Sequence, residues 1–266
     1  MGLILSDCIS CSNCSVEDTM NLNIFRPPDK QNDIPNIESK HRKLFNVKTK
    51  SDNTIFAIIN TPENETGVIE KCIIFCHGNA SDIFHVTDYM KILANNLNVY
   101  VVAYDYPGYG ISTGDPTENG CYESMESIVD YVKNIINIKE ENIFLMGQSL
   151  GTGIVIDYAY KHNWSCPIIL IAPYKSICTI VYDSALVRII DKFESSKKIK
   201  KLKCPVKIFH GEDDELINIS HGKKLYKKLS NKTLEPSWLP NTGHSNILWS
   251  IELSELANII NGSNNL

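Results

Sequence analysis

Residues 143–152, IFLMGQSLGT, decide the fold, because an apolar run leads directly into a Gly-x-Ser-x-Gly motif. Residues 143–148 predict a buried strand, and the residues after Ser149 predict a helix over 150–162. A serine on such a sharp turn from strand to helix projects its hydroxyl above the carboxyl edge of a sheet, and the flanking glycines leave room for the strained backbone. The motif therefore predicts Ser149 as a catalytic nucleophile.

Strands and helices alternate on both sides of this motif. Short apolar runs predict strands at 54–60, 72–77, 99–105, 143–148, 167–172 and 206–210, with a last short strand at 237–240. Helical patterns lie near 85–96, 123–136, 150–162, 221–230 and 247–260. This alternation indicates an α/β fold with a mostly parallel central sheet flanked by helices. Residues 173–203 interrupt it and predict a short cap between the sixth and seventh core strands.

The composition favours one globular domain and excludes several classes of partner. The chain has 266 residues, of which 43% are hydrophobic and 21% charged. Its 26 basic and 31 acidic side chains give a net charge of −5, so we expect no nucleic-acid partner. No apolar run reaches the roughly 18 residues of a membrane span. We divide the chain into a tail and surface connector at 1–43 and an α/β domain at 44–266.

The nine cysteines favour an intracellular location. An odd number without a visible secretory signal argues against a disulfide framework. Six of them lie in or beside apolar runs and are interpreted as small core residues. These six are Cys72, Cys76, Cys121, Cys166, Cys178 and Cys204.

A serine hydroxyl needs an adjacent base, which in turn needs an acid to orient it. In this architecture the acid and then the histidine follow the serine along the chain. His244, in the loop after the last predicted strand, is the predicted base. The acid lies in the loop after strand 206–210, where the residues alone leave four carboxylates open. They are Glu212, Asp213, Asp214 and Glu215.

The reaction also needs two N–H groups that bind the oxyanion. One is the backbone N–H of Leu150, the residue after the nucleophile, and the other comes from the loop after strand 72–77. In that loop Gly78 allows the backbone to turn, and Asn79 is the predicted second donor. A serine mechanism of this kind requires no cofactor and no metal, and we predict neither.

Several motifs form a set: HGNA at 77–80, DYPGYGISTG at 105–114, GQSLGT at 147–152 and GH at 243–244. As a set they resemble the α/β-hydrolase domain-containing type 17 group, the protein depalmitoylases, over about residues 55–260. The resemblance implies the α/β-hydrolase fold. Its His-Gly-x-x-Asp-x-x-Ile pattern matches HGEDDELI at 210–217, which implies Asp214 as the acid of the triad.

The N-terminus carries predicted lipid signals. MGLILS at 1–6 fits the pattern for myristoylation of Gly2, and Cys8, Cys11 and Cys14 follow it. Because one myristoyl chain binds membranes only weakly, palmitoyl groups on these cysteines would supply the second anchor. The group that the chain resembles is likewise held on membranes by a cysteine-rich N-terminus. The alternative is a metal or iron–sulfur site, although the tail offers no fourth ligand.

These features predict a serine hydrolase on the cytoplasmic face of membranes. The favoured reaction removes palmitoyl groups from S-acylated membrane proteins. Alternatives of the same fold are a lipid esterase of the monoacylglycerol lipase type, acting on lipid esters, and a small serine peptidase. An alternative of another class is a catalytically inactive membrane scaffold. The lysine-rich run 197–203 is interpreted as a solvated face, with contact to anionic lipid as the alternative.

Overall fold

The computed structural model describes residues 16–29, 37–64, 67–181 and 191–262. Within these ranges the strands are β1 (Arg42–Lys48), β2 (Thr54–Asn60), β3 (Cys72–Cys76), β4 (Tyr100–Tyr104), β5 (Ile143–Gln148), β6 (Ile168–Ile171), β7 (Val206–Gly211) and β8 (Ser237–Leu239). They form an eight-stranded sheet in the order β1-β2-β4-β3-β5-β6-β7-β8. The strands from β3 to β8 are mutually parallel, whereas β2 pairs antiparallel with β1 and β4. The predicted mostly parallel sheet is confirmed.

Helices flank this sheet. They are α1 (Val16–Ile24), α2 (Ile83–Leu97), α3 (Glu118–Asn134), α4 (Leu150–Lys161), α5 (Cys178–Val181), α6 (Ser195–Lys198), α7 (Ser220–Lys228) and α8 (Leu253–Asn261). Short 3₁₀ turns occur at Glu140–Asn142, Ile199–Lys201 and Ile247–Ser250. Among the described residues, no helix has the length and apolar character needed to cross a bilayer.

The centre of the sheet forms the core. Every residue of β3 is buried, as are residues 143–147 of β5, which explains why both strands are continuous apolar runs rather than alternating patterns. The six cysteines predicted as core residues are buried and free. Because these strands are parallel, the loops that follow them meet at one edge of the sheet, which is where ligands bind in open α/β sheets.

Strand β1 was absent from the predicted pattern. Its residues are half-buried or exposed, and the strand lies at the edge of the sheet, where it pairs with β2. Charged residues such as Arg42 and Lys43 are common on edge strands but weaken the apolar signal that identifies a strand. The predicted domain boundary at 43/44 consequently falls inside β1.

Phe25 corrects the prediction of a purely surface connector. Its side chain is only 3% exposed and belongs to the main hydrophobic core. The ring makes edge contacts with Tyr109 and Phe193, at centroid distances of 6.5 and 6.1 Å. A single aromatic residue in a polar, proline-containing stretch gives no periodicity, so the sequence pattern could not reveal this docking.

The predicted C-terminal helix over 247–260 is in fact two elements. A 3₁₀ turn at Ile247–Ser250 ends where Ile251 adopts an extended conformation, with φ −82° and ψ 124°. α8 then begins at Leu253. Apolar spacing alone runs through the break, because Ile251 is itself buried.

The predicted cap lies between β6 and β7, and its residues 182–190 fall outside the described ranges. The lysine-rich run at its end is not a uniformly solvated face. Lys198 Nζ lies 2.6 Å from Asp157 Oδ1 on α4, and its side chain is largely covered. Lys197, in contrast, is exposed and pairs with Glu194. The first of these ion pairs ties the cap to the helix that follows Ser149.

Gly151 marks the closest approach of α4 to β3. A Cβ atom at this position would lie 2.1 Å from the carbonyl oxygen of Cys76. A Cβ atom on Gly147 would lie 2.6 Å from the carbonyl oxygen of Gly151. Both obstacles are backbone atoms, so packing alone requires glycine at both ends of the motif.

We expect Gly151→Ala to lower the free energy of unfolding by about 3 kcal/mol, because the added methyl forces α4 away from β3. Denaturant unfolding measures the effect. Gly243→Ala is the control, since its Cβ would meet nothing nearer than 3.6 Å. Equal stability of the two variants would contradict the close approach.

Candidate active site

Ser149 occupies the turn between β5 and α4 in a strained conformation. Its φ of 51° and ψ of −117° lie in a region that residues other than glycine rarely adopt. Hydrogen bonds keep the backbone of Ser149 in this strained conformation. The Ser149 N–H donates to the Ile171 carbonyl at 2.9 Å, and the N–H and hydroxyl of Thr152 donate to the Ser149 carbonyl at 3.0 and 2.7 Å. The side chain sits at the carboxyl edge of the sheet, and the residue is 7% exposed.

His244 and Asp214 are hydrogen-bonded to each other. The Nδ1 atom of His244 lies 2.7 Å from Asp214 Oδ2. The other carboxylate oxygen, Oδ1, accepts the backbone N–H groups of Leu216 and Ile217 at 3.0 and 2.7 Å. Because an ionised carboxylate only accepts hydrogen bonds, Nδ1 of His244 carries the proton and Nε2 is left as the basic nitrogen.

The surroundings of Asp214 keep it ionised. Burial raises the pKa of this carboxyl group, but the hydrogen bonds from His244 and from the Ile217 N–H outweigh burial and hold the pKa below its usual value. The resulting stabilisation of the fold is present above the usual pKa of a free aspartate. It is lost as the pH falls through the lowered value.

Burial distinguishes Asp214 from the other acids of its loop. Glu212, Asp213 and Glu215 are exposed, whereas Asp214 is buried and contacts the imidazole. The carboxylate that contacts His244 is thus the one that the family pattern implies. The residues of the loop, taken alone, left all four open.

His210, in β7, is a residue of the site to which the sequence analysis gave no role. It is fully buried, and its Nε2 atom lies 2.7 Å from the Ile217 carbonyl oxygen, to which it donates. Burial lowers the pKa of His210, so the ring is neutral at neutral pH. It closes the turn whose N–H groups bind Asp214. Its place directly before Gly211 in the matched pattern was the available signal.

The loop after β3 lies against Ser149. A Cβ atom on Gly78 would sit 3.6 Å from the Cβ atom of Ser149. Asn79, a predicted oxyanion donor, follows Gly78 directly, and Leu150, the other predicted donor, is the first residue of α4. Both predicted donors therefore adjoin the serine turn.

His77 ends β3 as a packing residue. It is fully buried, and its ring lies 4.3 Å from the Tyr106 ring, centroid to centroid. Its Nε2 atom lies 3.3 Å from Asp105 Oδ1 but without the alignment of a hydrogen bond. Burial raises the pKa of Asp105.

Other predicted site residues cannot be placed. Gly2, Cys8, Cys11 and Cys14 lie outside the described residues. Within the described ranges, no three His, Cys, Asp or Glu side chains are grouped so that they could hold a metal ion.

The sequence is similar to that of several named hydrolases. A family model described as serine aminopeptidase, S33, matches residues 67–196, which include Ser149 but neither Asp214 nor His244. A protein of Acanthamoeba polyphaga mimivirus with the name "Putative alpha/beta hydrolase L404" is 46% identical over 252 residues, which cover 92% of this chain and 94% of that protein.

Two animal proteins are more distant. Alpha/beta hydrolase domain-containing protein 17C of Homo sapiens is 33% identical over 176 residues, or 66% of this chain and 53% of that protein. Alpha/beta hydrolase domain-containing protein aho-3 of Caenorhabditis elegans is 34% identical over 66% of this chain and 52% of that protein. The match spans about half the length of these two relatives. The predicted resemblance is confirmed.

Solved structures share the fold. The Pyrococcus furiosus esterase Pf2001 has a TM-score of 0.67 at 16% identity, covering 90% of this chain and 99% of that chain. Est1E from Butyrivibrio proteoclasticus, solved with ferulic acid bound, has a TM-score of 0.63 at 17% identity, covering 82% and 97%. At such identities the likeness shows the fold alone, and the predicted α/β-hydrolase fold is confirmed.

We expect Asp214→Asn to reduce kcat on an acyl ester by about 10³- to 10⁴-fold, because the amide cannot hold His244 in the required tautomer. Steady-state kinetics measures the loss. Asp213→Asn is the matched control, because Asp213 is the exposed neighbour on the same loop. A large loss in Asp213→Asn together with an active Asp214→Asn would show that the acid has been misassigned.

Proposed function

The chain belongs to the α/β-hydrolase family, and on that premise we propose that it is a serine hydrolase that cleaves esters and thioesters through Ser149, His244 and Asp214. The observation that carries the proposal is the 2.7 Å hydrogen bond between His244 and the buried Asp214. In this fold the acid and the histidine follow the nucleophile in this order, and Ser149 occupies the strained turn that presents a nucleophile.

The proposed reaction has two acyl transfers. The Ser149 oxygen attacks the carbonyl carbon while His244 Nε2 takes the hydroxyl proton. The N–H groups of Asn79 and Leu150 bind the oxyanion, and collapse of the tetrahedral intermediate expels a thiol or alcohol that receives the proton from His244. His244 then takes a proton from water, whose oxygen attacks the acyl-serine. The second collapse releases the carboxylic acid and returns the proton to Ser149.

For the substrate we propose S-acylated membrane proteins, from which the enzyme removes palmitoyl groups. The relation to the domain-containing 17 proteins supports this class, as does the N-terminal sequence with Gly2 and its three following cysteines. Lipid chains on the tail would hold the enzyme at the cytoplasmic surface of a membrane, where acylated cysteines of other proteins lie. The short cap between β6 and β7 favours a substrate presented by a large partner rather than an enclosed small molecule.

One observation favours a second candidate, a serine peptidase. The family model that matches residues 67–196 is described as a serine aminopeptidase. An amide would use the same groups, with His244 protonating the amine that leaves. Palmitoyl-cysteine peptides, monoacylglycerol and aminoacyl amides, given to the purified enzyme in parallel, separate the thioesterase, lipid esterase and peptidase functions.

Ser149→Ala is expected to abolish labelling by a fluorophosphonate probe, since it removes the oxygen that the probe modifies. Labelling is read by fluorescence after gel electrophoresis. Ser245→Ala serves as the control, because Ser245 is an exposed serine beside His244. Undiminished labelling of Ser149→Ala would refute the assignment of Ser149 as the nucleophile.

The same pair of proteins tests the substrate. Wild type, but not Ser149→Ala, should release palmitate from a metabolically labelled membrane proteome. If the protein hydrolyses soluble esters but releases no palmitate, the proposed serine hydrolase activity stands and the proposed depalmitoylation is rejected.

Membrane attachment is expected to require both predicted lipid signals. Gly2→Ala should move most of the protein from the membrane to the soluble fraction, because palmitoyl groups alone would then have to recruit it. Cys8, Cys11 and Cys14 changed together to serine should do the same, and Cys178→Ser is the control, as Cys178 is buried in the folded domain. Fractionation with intact membrane binding in both tail variants would contradict the lipid anchor.

A further inference from the structure

The side chain of Asn79 is held at both ends by other parts of the chain. Its Oδ1 atom accepts the Arg26 backbone N–H at 3.0 Å and the Tyr109 hydroxyl at 2.6 Å. Its Nδ2 atom donates to the Ile24 carbonyl oxygen at 2.7 Å. Ile24, the last residue of α1, and Arg26 therefore hold the loop that follows β3 through hydrogen bonds to Asn79.

The hydrogen bonds of Ile24 and Arg26 to Asn79 depend on the docking of α1. Phe25, between the two residues that bond Asn79, is buried and packs edge-on against Tyr109, which itself bonds Asn79. On its other side Phe25 meets Phe193 of the cap. The segment is thus wedged between the loop after β4 and the cap, and aromatic packing of this kind is the main source of its binding energy.

The peptide plane that carries the Asn79 N–H is restrained from two directions. On its carbonyl side the Gly78 oxygen lies 2.8 Å from His77 Nδ1. Gly78 itself permits a wide range of backbone angles, and the Asn79 side-chain amide, anchored at three points, adds the second restraint from the other side of this plane. An oxyanion donor acts only when its N–H is aimed at the developing charge before the reaction begins.

We propose that Ile24–Arg26 and Tyr109 form a positioning element that aims the Asn79 backbone N–H, so that docking of the N-terminal segment completes the oxyanion hole. This inference rests on the proposed function, in which that N–H binds the oxyanion. None of these residues touches the substrate in this scheme. They act through the Asn79 side chain alone.

Full-length variants test the inference with a soluble p-nitrophenyl acyl ester. Asn79→Ala keeps the backbone N–H but removes the three side-chain hydrogen bonds. Phe25→Ala removes the aromatic ring that docks the segment. Each should lower kcat by about 10-fold or more while KM changes less than about threefold, because a misaimed donor weakens transition-state binding and not ground-state binding. Leu22→Ala is the control, since Leu22 lies on the same helix with 64% of its surface exposed. It should keep wild-type kinetics.

A trifluoromethyl ketone provides a readout that general destabilisation would not move. It adds to the nucleophile as a tetrahedral oxyanion, so its inhibition constant should rise by the same factor as kcat falls. Adding Phe25→Ala to Asn79→Ala should cause no further loss, because both changes break one contact. Tyr109→Phe removes one hydroxyl and keeps the ring, and it should shift both quantities in the same direction. This variant tests the inference even if the Phe25→Ala protein fails to fold.

The outcomes separate this inference from the proposed function. Additive losses in the double variant, or losses confined to KM and melting temperature, would overturn the positioning element while leaving the hydrolase intact. A wild-type protein that neither hydrolyses the ester nor binds the ketone would overturn both. Matched, non-additive changes in kcat and in ketone inhibition support the inference.

Discussion

The site depends on the close approach between the start of α4 and the end of β3. Gly151 rests so near the Cys76 carbonyl oxygen that no side chain fits between them. This contact brings the strained Ser149 turn and the loop after β3 together, since Gly78 then lies against the serine. The turn's unfavourable φ costs of order 1–3 kcal/mol, and the surrounding backbone hydrogen bonds keep it in place. The proposed nucleophile and the proposed oxyanion loop are therefore one packed unit rather than two separately positioned parts.

Asp214 and His244, the proposed acid and base, are held by a different kind of interaction. Asp214 is a buried carboxylate, and burial of an uncompensated charge would be costly. Two backbone N–H groups and the imidazole of His244 compensate it, and neutral His210 holds the turn that supplies one of those N–H groups. The pair thus combines rigidity with a fixed tautomer. Its parts come from the loops after β7 and β8, which meet because those strands are parallel neighbours.

The parts of this arrangement that leave a periodic or motif signal could be predicted from the sequence. β3 and β5 were evident as continuous apolar runs, and the serine turn was evident from its glycines. The choice of Asp214 needed either the family pattern or the structure, because four adjacent carboxylates look alike until burial separates them. β1, the docking of Phe25 and the partner of Lys198 escaped because each depends on tertiary contacts. A charged edge strand, a lone aromatic and a lysine among lysines carry no local signature of their partners.

The hydrogen bonds between residues 24–26 and Asn79 limit how the protein can be shortened and how its sequence can have diverged. The segment that reaches the active site is the one that leads from the N-terminal tail into the domain. A shortened form of the protein keeps these bonds to Asn79 only if the cut falls before Ile24. A change in length between Ile24 and Arg26 would misplace one of the two backbone groups that bond Asn79. Residues 24–26 are therefore tied in length to the domain, although they lie next to the tail.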